Sequence, residues 1–242
     1  MKIKILLVIL LIFILWYLSK RSVPEPSLSQ PLSPDTTVFA FDLHNVVLIP
    51  DYSAIIRLLW KYFFTYAPFS LLIKPWVWYD VYRLLRSPVS TEYIFAHLRT
   101  KDLEIIPFEN LIAHMMQAQH LNKEIIPILQ KLKQKGYKLY ILSNIWAHSL
   151  EHLYKKFPFL KELFDGVYIP SKDNNFAAKP SFVFYKGFKE YLSKQGQAHK
   201  QVIFIDNGED AIKEARKANI HGYEFTSVKN FIQFLNKQLS LL

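Results

Sequence analysis

The chain has no cysteine, which excludes disulfides, thiolate metal sites, a cysteine nucleophile and the cysteine-anchored lipid of a lipoprotein. That absence leaves the redox compartment open. There is also no Arg-rich run and no nucleic-acid-binding motif, so the formal charge of +10 makes no case for DNA or RNA as a partner. No internal repeat is present, and no nucleophile elbow supports a Ser-His-Asp triad. What the chain does have is apolar and aromatic. With 51% hydrophobic and 16% aromatic residues over 242 positions, it can fill a real core in one large or two small domains.

The first segment stands apart from that core. Lys2 and Lys4 precede fourteen apolar or aromatic residues, Ile5 to Leu18, and Lys20-Arg21 close the run. As a helix the run spans roughly 21 Å, short of the ~30 Å hydrocarbon layer, and snorkelling of Lys4 and Lys20 extends it. No small-x-small cleavage pattern follows Leu18. Residues 1–21 are therefore expected to be an uncleaved, single-pass membrane anchor, with a cleaved signal and export as the competing reading. Basic residues flank both sides almost equally, so the side of the membrane is left open. Without these residues 26 basic and 20 acidic positions remain, a balance that suits a solvated basic surface, a phosphorylated partner or a lipid surface. Residues 22–37, with Pro24, Pro26, Pro31 and Pro34 among serines, read as a semi-extended, poorly packing linker.

From Val38 onward the pattern alternates in type. Short β-prone runs at Val38 to Phe41, Lys138 to Leu142, Gly166 to Ile169, Val202 to Ile205 and Gly222 to Phe225 are separated by helical stretches, the pattern of an α/β, doubly wound parallel sheet. Pro127 in the first turn, Leu129 and Leu132 on one face and Gly136 as a stop punctuate the helix before the second strand. Some seventy residues, 51–120, separate the first strand from that helix. They are too many for a βα loop and are expected to form an inserted helical cap on a core of residues 38–50 and 121–242. Ile55, Ile56, Leu58, Leu59, Tyr62 and Phe63 share an apolar face, and Trp76, Trp78, Tyr79, Tyr82 and Leu84 crowd the next stretch. A cap core accounts for them. A sharper reading dips Phe63 to Tyr79 into a membrane interface.

Polar residues fall at the ends of these runs. Asp42 follows the first strand, Ser143-Asn144 the second and Asp206-Asn207-Gly208-Glu209-Asp210 the fourth, while Lys179-Pro180 precedes a helix. In open α/β sheets the carboxyl ends of the strands line one crevice, so these residues are expected to converge there. His148-Ser149-Leu150-Glu151-His152 has the H-x-x-E-H pattern of some zinc peptidases. It reads as an accidental pair on an exposed helix face, because no third ligand accompanies it.

With these residues assembled, the chain resembles the haloacid dehalogenase-like (HAD) hydrolases with a helical cap inserted after the first motif. Asp42-Leu43-His44-Asn45-Val46 is similar to that family's nucleophile motif but has His44 where a second Asp is usual. Tyr140 to Asn144, Lys179 to Tyr185, and Val202 to Asp206 with Asp210 resemble the other three motifs, in the right order. The resemblance implies a Mg²⁺-dependent phosphomonoester phosphatase in which Asp42 forms an aspartyl-phosphate. It implies Mg²⁺ ligation by Asp42, Asp206, Asp210 and the backbone carbonyl of His44. Ser143 and Asn144 would bind the transferring phosphate, and Lys179 would neutralise its charge and restrain Asp42.

Asn45 stands where the family often has Gly, and Asn tolerates positive φ. In the phosphatases the residue at position 44 handles the leaving-group proton, so His44 divides the expectations. It is an acid-base group of a working hydrolase, or the mark of a weakened phosphate-binding or interaction protein, or a sign of another reaction class such as a dehalogenase. The implied substrate is a small phosphorylated molecule, with a lipid phosphate as a candidate because of the anchor.

Overall fold

The computed structural model describes residues 24–28, 30–66 and 108–239. The expected anchor at residues 1–21 and the aromatic stretch from Trp76 to Leu84 lie outside the described residues, as does most of the interfacial segment.

Five parallel strands form the central sheet: β1 (Thr37–Phe41), β4 (Lys138–Leu142), β5 (Gly166–Tyr168), β6 (Gln201–Asp206) and β7 (His221–Glu224). Their order is β5-β4-β1-β6-β7. Each agrees with an expected run to within a residue at either end. β1 and β6 are buried along their whole lengths, as near-continuous apolar runs with both faces covered must be. The period-two alternation of a strand then assigns residues to faces. Phe39, Phe41, Leu139, Ile141, Ile203 and Ile205 belong to one core layer, and Val38, Ala40, Tyr140, Leu142, Val202 and Phe204 to the other.

Helices cover both layers. In chain order these are α1 (Tyr52–Tyr66), α2 (Phe108–Gln117), α3 (Ile126–Gln134), α4 (Ala147–Lys156), α5 (Phe159–Leu163), α6 (Phe182–Lys194), α7 (Glu209–Lys217) and α8 (Val228–Leu239). α3 carries Pro127 in its first turn and buries Ile128, Leu129 and Leu132; Gly136 follows at φ 89°, a left-handed stop that glycine adopts at no steric cost. α6 and α7 bury Phe184, Tyr185, Phe188, Ile212 and Ala215 against the opposite layer.

The insert after β1 is closed by a feature the residue pattern does not advertise. β2 (Leu48–Pro50) pairs antiparallel with β3 (Gln119–Leu121), so the chain leaves and re-enters the core through a two-stranded ribbon. Beyond it α1 packs on α2, with the Tyr62 hydroxyl 2.8 Å from His114 Nδ1. Lys156 on α4 donates to the carbonyls of Gln117, at 2.5 Å, and Gln119, at 2.7 Å. This ammonium satisfies the carbonyl that ends α2 and one at the start of β3, and clasps the insert to the core.

The Pro/Ser-rich stretch differs from its expectation. Its described residues pack on the fold: Leu32 is buried and Leu28 packs against the same core cluster. Backbone carbonyls of Pro24, Gln30 and Pro34 accept from Arg216, Gln201 and Lys200. Proline leaves the segment without regular backbone pairing, and its carbonyls become acceptors for Arg216, Lys200 and Gln201 at one end of the sheet.

Candidate active site

Three neighbouring strand ends build the site. β1 lies between β4 and β6, so Asp42, Ser143 and Asp206 emerge side by side. The Asp42 amide extends the ladder with a 2.9 Å bond to the Ile205 carbonyl. Beyond Asp42 the chain turns sharply: the amides of Val46, Val47 and Leu48 all point at the Leu43 carbonyl, and Asn45 takes the left-handed conformation at φ 59°. Asn is among the few side chains that accept this backbone. Tyr52 donates to the Asn45 carboxamide at 3.1 Å. None of these backbone bonds ends on the His44 carbonyl.

Lys179 Nζ lies 2.8 Å from Asp42 Oδ1 and 2.6 Å from Asp206 Oδ2, over the ring of Phe204. Ser143 Oγ donates to the same Asp42 Oδ1 at 2.7 Å. Both contacts engage one oxygen of Asp42, which leaves Oδ2 as the open one. Asp206 Oδ1 accepts the Gly208 amide at 2.7 Å.

All three charged groups are buried, and one cation faces two anions. Burial works against the charge of Asp42, but Lys179, with His44 and Ser143, outweighs it and holds that carboxyl below its ordinary range. Asp206 moves the opposite way, raised by burial against the pull of Lys179, with Asp42 adding to the rise. Burial also opposes the charge of Lys179, yet the two carboxylates keep its ammonium above its ordinary value. Asp42 is thus ionised at neutral pH. Burial pulls His44 below the ordinary imidazole value, with Asp42 opposing and Lys179 assisting, so His44 is neutral at pH 7.

Two of the expected site residues are placed differently. The Asn144 carboxamide is committed to the backbone of Lys179, donating to its carbonyl and accepting from its amide, each at 2.8 Å. With both ends engaged, it positions Lys179. Asp210 is exposed in the first turn of α7 and acts electrostatically on Lys213; it does not join Asp42 and Asp206. Among the described residues no group of three His, Cys, Asp or Glu side chains is arranged to hold a metal. His148 and His152 form an isolated pair, Nε2 to Nε2 3.2 Å.

Three contributors went unrecognised in the sequence. The Gly208 amide and the Phe204 ring act through backbone placement and strand register, which no motif records. Tyr185 is fully buried with an unpaired hydroxyl, pushed up by burial and by the charges of Asp206 and Asp42. In the sequence it closes the Lys179 to Tyr185 stretch, six residues after Lys179.

The family model for haloacid dehalogenase-like hydrolases matches residues 88–223, more than half of the chain. The chain belongs to the haloacid dehalogenase-like hydrolases. The match contains Ser143, Asn144, Lys179 and Asp206 and begins downstream of Asp42 and His44; the strand pairing described above brings Asp42 beside the matched residues. Solved HAD structures share the fold at low identity. A HAD family enzyme from Bacteroides thetaiotaomicron has a TM-score of 0.57 at 18% identity, over 78% of this chain and 93% of the other. The same enzyme is also known in complex with magnesium and inorganic phosphate. A HAD phosphatase from Thermococcus onnurineus has a TM-score of 0.60 at 16% identity, over 83% and 98% of the two chains. HAD-hydrolase YfnB from Bacillus subtilis, bound to magnesium, has a TM-score of 0.59 at 17% identity over the same shares.

Proposed function

We propose that the protein is a Mg²⁺-dependent phosphatase of phosphomonoesters, acting through a phosphoryl group carried on Asp42 and held at a membrane by residues 1–21. The observation that carries this reading is the state of Asp42: ionised, pinned through Oδ1 by Lys179 and Ser143, with Oδ2 open. A nucleophile must be charged and oriented before its substrate arrives.

The donor set fits magnesium. Two buried carboxylates share one ammonium, leaving one negative charge uncompensated, and the His44 carbonyl has no partner in its turn. Mg²⁺ takes oxygen donors, needs only one or two carboxylates and keeps several waters; a third side-chain ligand such as Asp210 is not required. Asp42, Asp206 and the His44 carbonyl would hold it, and when bound it would neutralise charge on the phosphoryl oxygens. The HAD enzyme from Bacteroides thetaiotaomicron with magnesium and phosphate, and YfnB with magnesium, support the assignment.

In the first half-reaction Asp42 Oδ2 forms a bond to phosphorus while the bond to the leaving oxygen breaks. Lys179 moves its interaction from Asp42 toward the phosphoryl oxygens, and Ser143, freed from Oδ1, donates to one of them. In the second, water attacks phosphorus, its proton passes to the neutral His44 ring, and Asp42 is released as carboxylate. His44 suits the second step better than the first. A neutral imidazole is a good base and a poor acid, so leaving groups that need no proton are favoured.

That weakness also motivates the second reading, a phosphate-binding protein with little turnover. A panel of phosphomonoesters, assayed with and without Mg²⁺ on the purified protein and its Asp42→Asn and His44→Asp variants, separates them. The phosphatase reading expects turnover that disappears with Asp42→Asn, and with chelation until Mg²⁺ is restored. Turnover seen only in His44→Asp favours the second reading. Alkaline carbonate extraction tests the anchor, which expects retention in the membrane pellet.

A further inference from the structure

The crevice lies at the carboxyl ends of the strands, and the segment 24–36 is fastened to the opposite end of the sheet. Its bonds go to Arg216 in the last turn of α7, to Lys200 just before β6 and to Gln201 at the start of β6. Glu25 pairs with Lys237 in the last turn of α8 at 3.0 Å. Helices that return across a parallel sheet end where its strands begin. Their last turns therefore collect there, and they are basic: Lys131 and Lys133 on α3, Lys194 on α6, Arg216 and Lys217 on α7, Lys237 on α8. Favourable interaction with helix dipoles explains part of this pattern, and Lys133, Lys217 and Lys237 have local carboxylate partners. Lys131 and Lys194 have no ion pair among the described residues. Sequence adds Lys20-Arg21, three residues before Pro24.

The bond from Arg216 to the Pro24 carbonyl fixes Pro24 at this end of the core. Five residues lie between Leu18, the last of the apolar run, and Pro24, and fully extended the six steps reach at most about 22 Å. A folded core of this length is roughly 40 Å across. A tether half that length cannot turn the core over to bring its far end onto the surface from which the tether emerges.

We propose that this strap-bearing basic end faces an anionic bilayer, with the crevice turned away from it, so that the site draws its phosphomonoesters from solution and not from lipid headgroups beneath it. The proposal rests on the anchor and phosphatase readings above. Lipid charge complements the free ammonium groups of this end, and the strap converts a flexible tether into a fixed orientation.

The absence of cysteine gives single-site labelling a clean background. Full-length protein carrying Lys135→Cys or Lys194→Cys at the basic end, or Ala147→Cys or Val183→Cys beside the crevice, would be labelled with a fluorophore. It would then be reconstituted into phosphatidylcholine vesicles containing phosphatidylglycerol and a nitroxide-headgroup lipid. The expected result is quenching several-fold stronger at positions 135 and 194 than at 147 and 183. Equal or reversed quenching overturns the orientation and makes the exposed apolar face of α1, with Tyr52 and Ile56, the better lipid contact. Protein that does not float with the vesicles overturns the anchor and this proposal with it. The readout needs no turnover, so failure of the phosphatase reading registers separately, in the phosphomonoester panel.

Discussion

His44 concentrates the chemical question at the scale of single residues. On the proposed mechanism, an imidazole that burial holds below its ordinary value, in place of a carboxylic acid, would remove acid help from the first half-reaction and keep base help in the second. Two outcomes follow. Rates of phosphoryl transfer should depend more steeply on leaving-group pKa in the wild type than in His44→Asp, with alkyl phosphates disfavoured by up to ~10²-fold; a linear free-energy series of aryl and alkyl phosphates measures this. Turnover should rise with pH as His44 sheds its proton, with an inflection below the ordinary imidazole value because the shift is downward. Gly208 gives a steric test beside it: a Cβ there would lie 3.1 Å from Asp206 Oδ1. Gly208→Ala is expected to crowd that carboxylate and lower kcat by roughly 10- to 100-fold without unfolding the protein, as circular dichroism and steady-state kinetics together would show. The convergence of Asp42, Ser143, Lys179 and Asp206 at one end of the sheet was readable from strand-end position and order. The commitment of Asn144 to the Lys179 backbone was not, because a carboxamide beside a site has the same sequence signature whether it faces a ligand or a peptide group.

Between elements, the connections that matter are short polar ties across strand ends. Asn144 joins the loop after β4 to the loop before α6 with two reciprocal bonds. Asn144→Ala leaves the Lys179 amide and carbonyl without that partner, at a cost of about 1–3 kcal/mol, and displaces Lys179; denaturant melts and a parallel fall in kcat would reveal both effects. At the other end of β4, Asp165 accepts Lys133 at 2.6 Å, Lys138 at 2.9 Å and the Leu139 amide at 3.0 Å. Burial opposes its charge, but these partners outweigh it and hold the carboxyl below its ordinary value. The unfolded state therefore binds a proton more readily, so the stabilisation is present above the unfolded value and is lost as pH falls through the folded one. Asp165→Asn should destabilise by ~1–2 kcal/mol at pH 7, with the difference from wild type shrinking in acid. Strand runs and the helix punctuated by Pro127 and Gly136 were legible because periodicity and stop signals are local. The β2–β3 ribbon was not, since three-residue strands 70 residues apart carry no periodicity, and their pairing is fixed by the Asn122 bonds to the Val46 and Val47 carbonyls.

Taken as a whole molecule, a doubly wound sheet separates two ends with different tasks. The carboxyl ends of its strands hold a buried lysine between two carboxylates, and the amino ends hold the strap and a collar of basic helix termini. The strap shows the limit of compositional reading: a Pro/Ser-rich segment looks unstructured until Leu32 finds a core pocket and basic side chains find its carbonyls. Leu32→Ala should cost roughly 2–3 kcal/mol and loosen the segment, which differential scanning calorimetry and limited proteolysis would detect at residues 24–36. The account as a whole depends on Asp42 becoming covalently phosphorylated. The direct measurement is borohydride trapping during turnover, followed by peptide mass spectrometry. It should convert Asp42, and no other aspartate, to homoserine in the wild type and give no such product in Asp42→Asn. Turnover of a phosphomonoester with no trapped adduct at Asp42, or with an adduct elsewhere, would contradict the account.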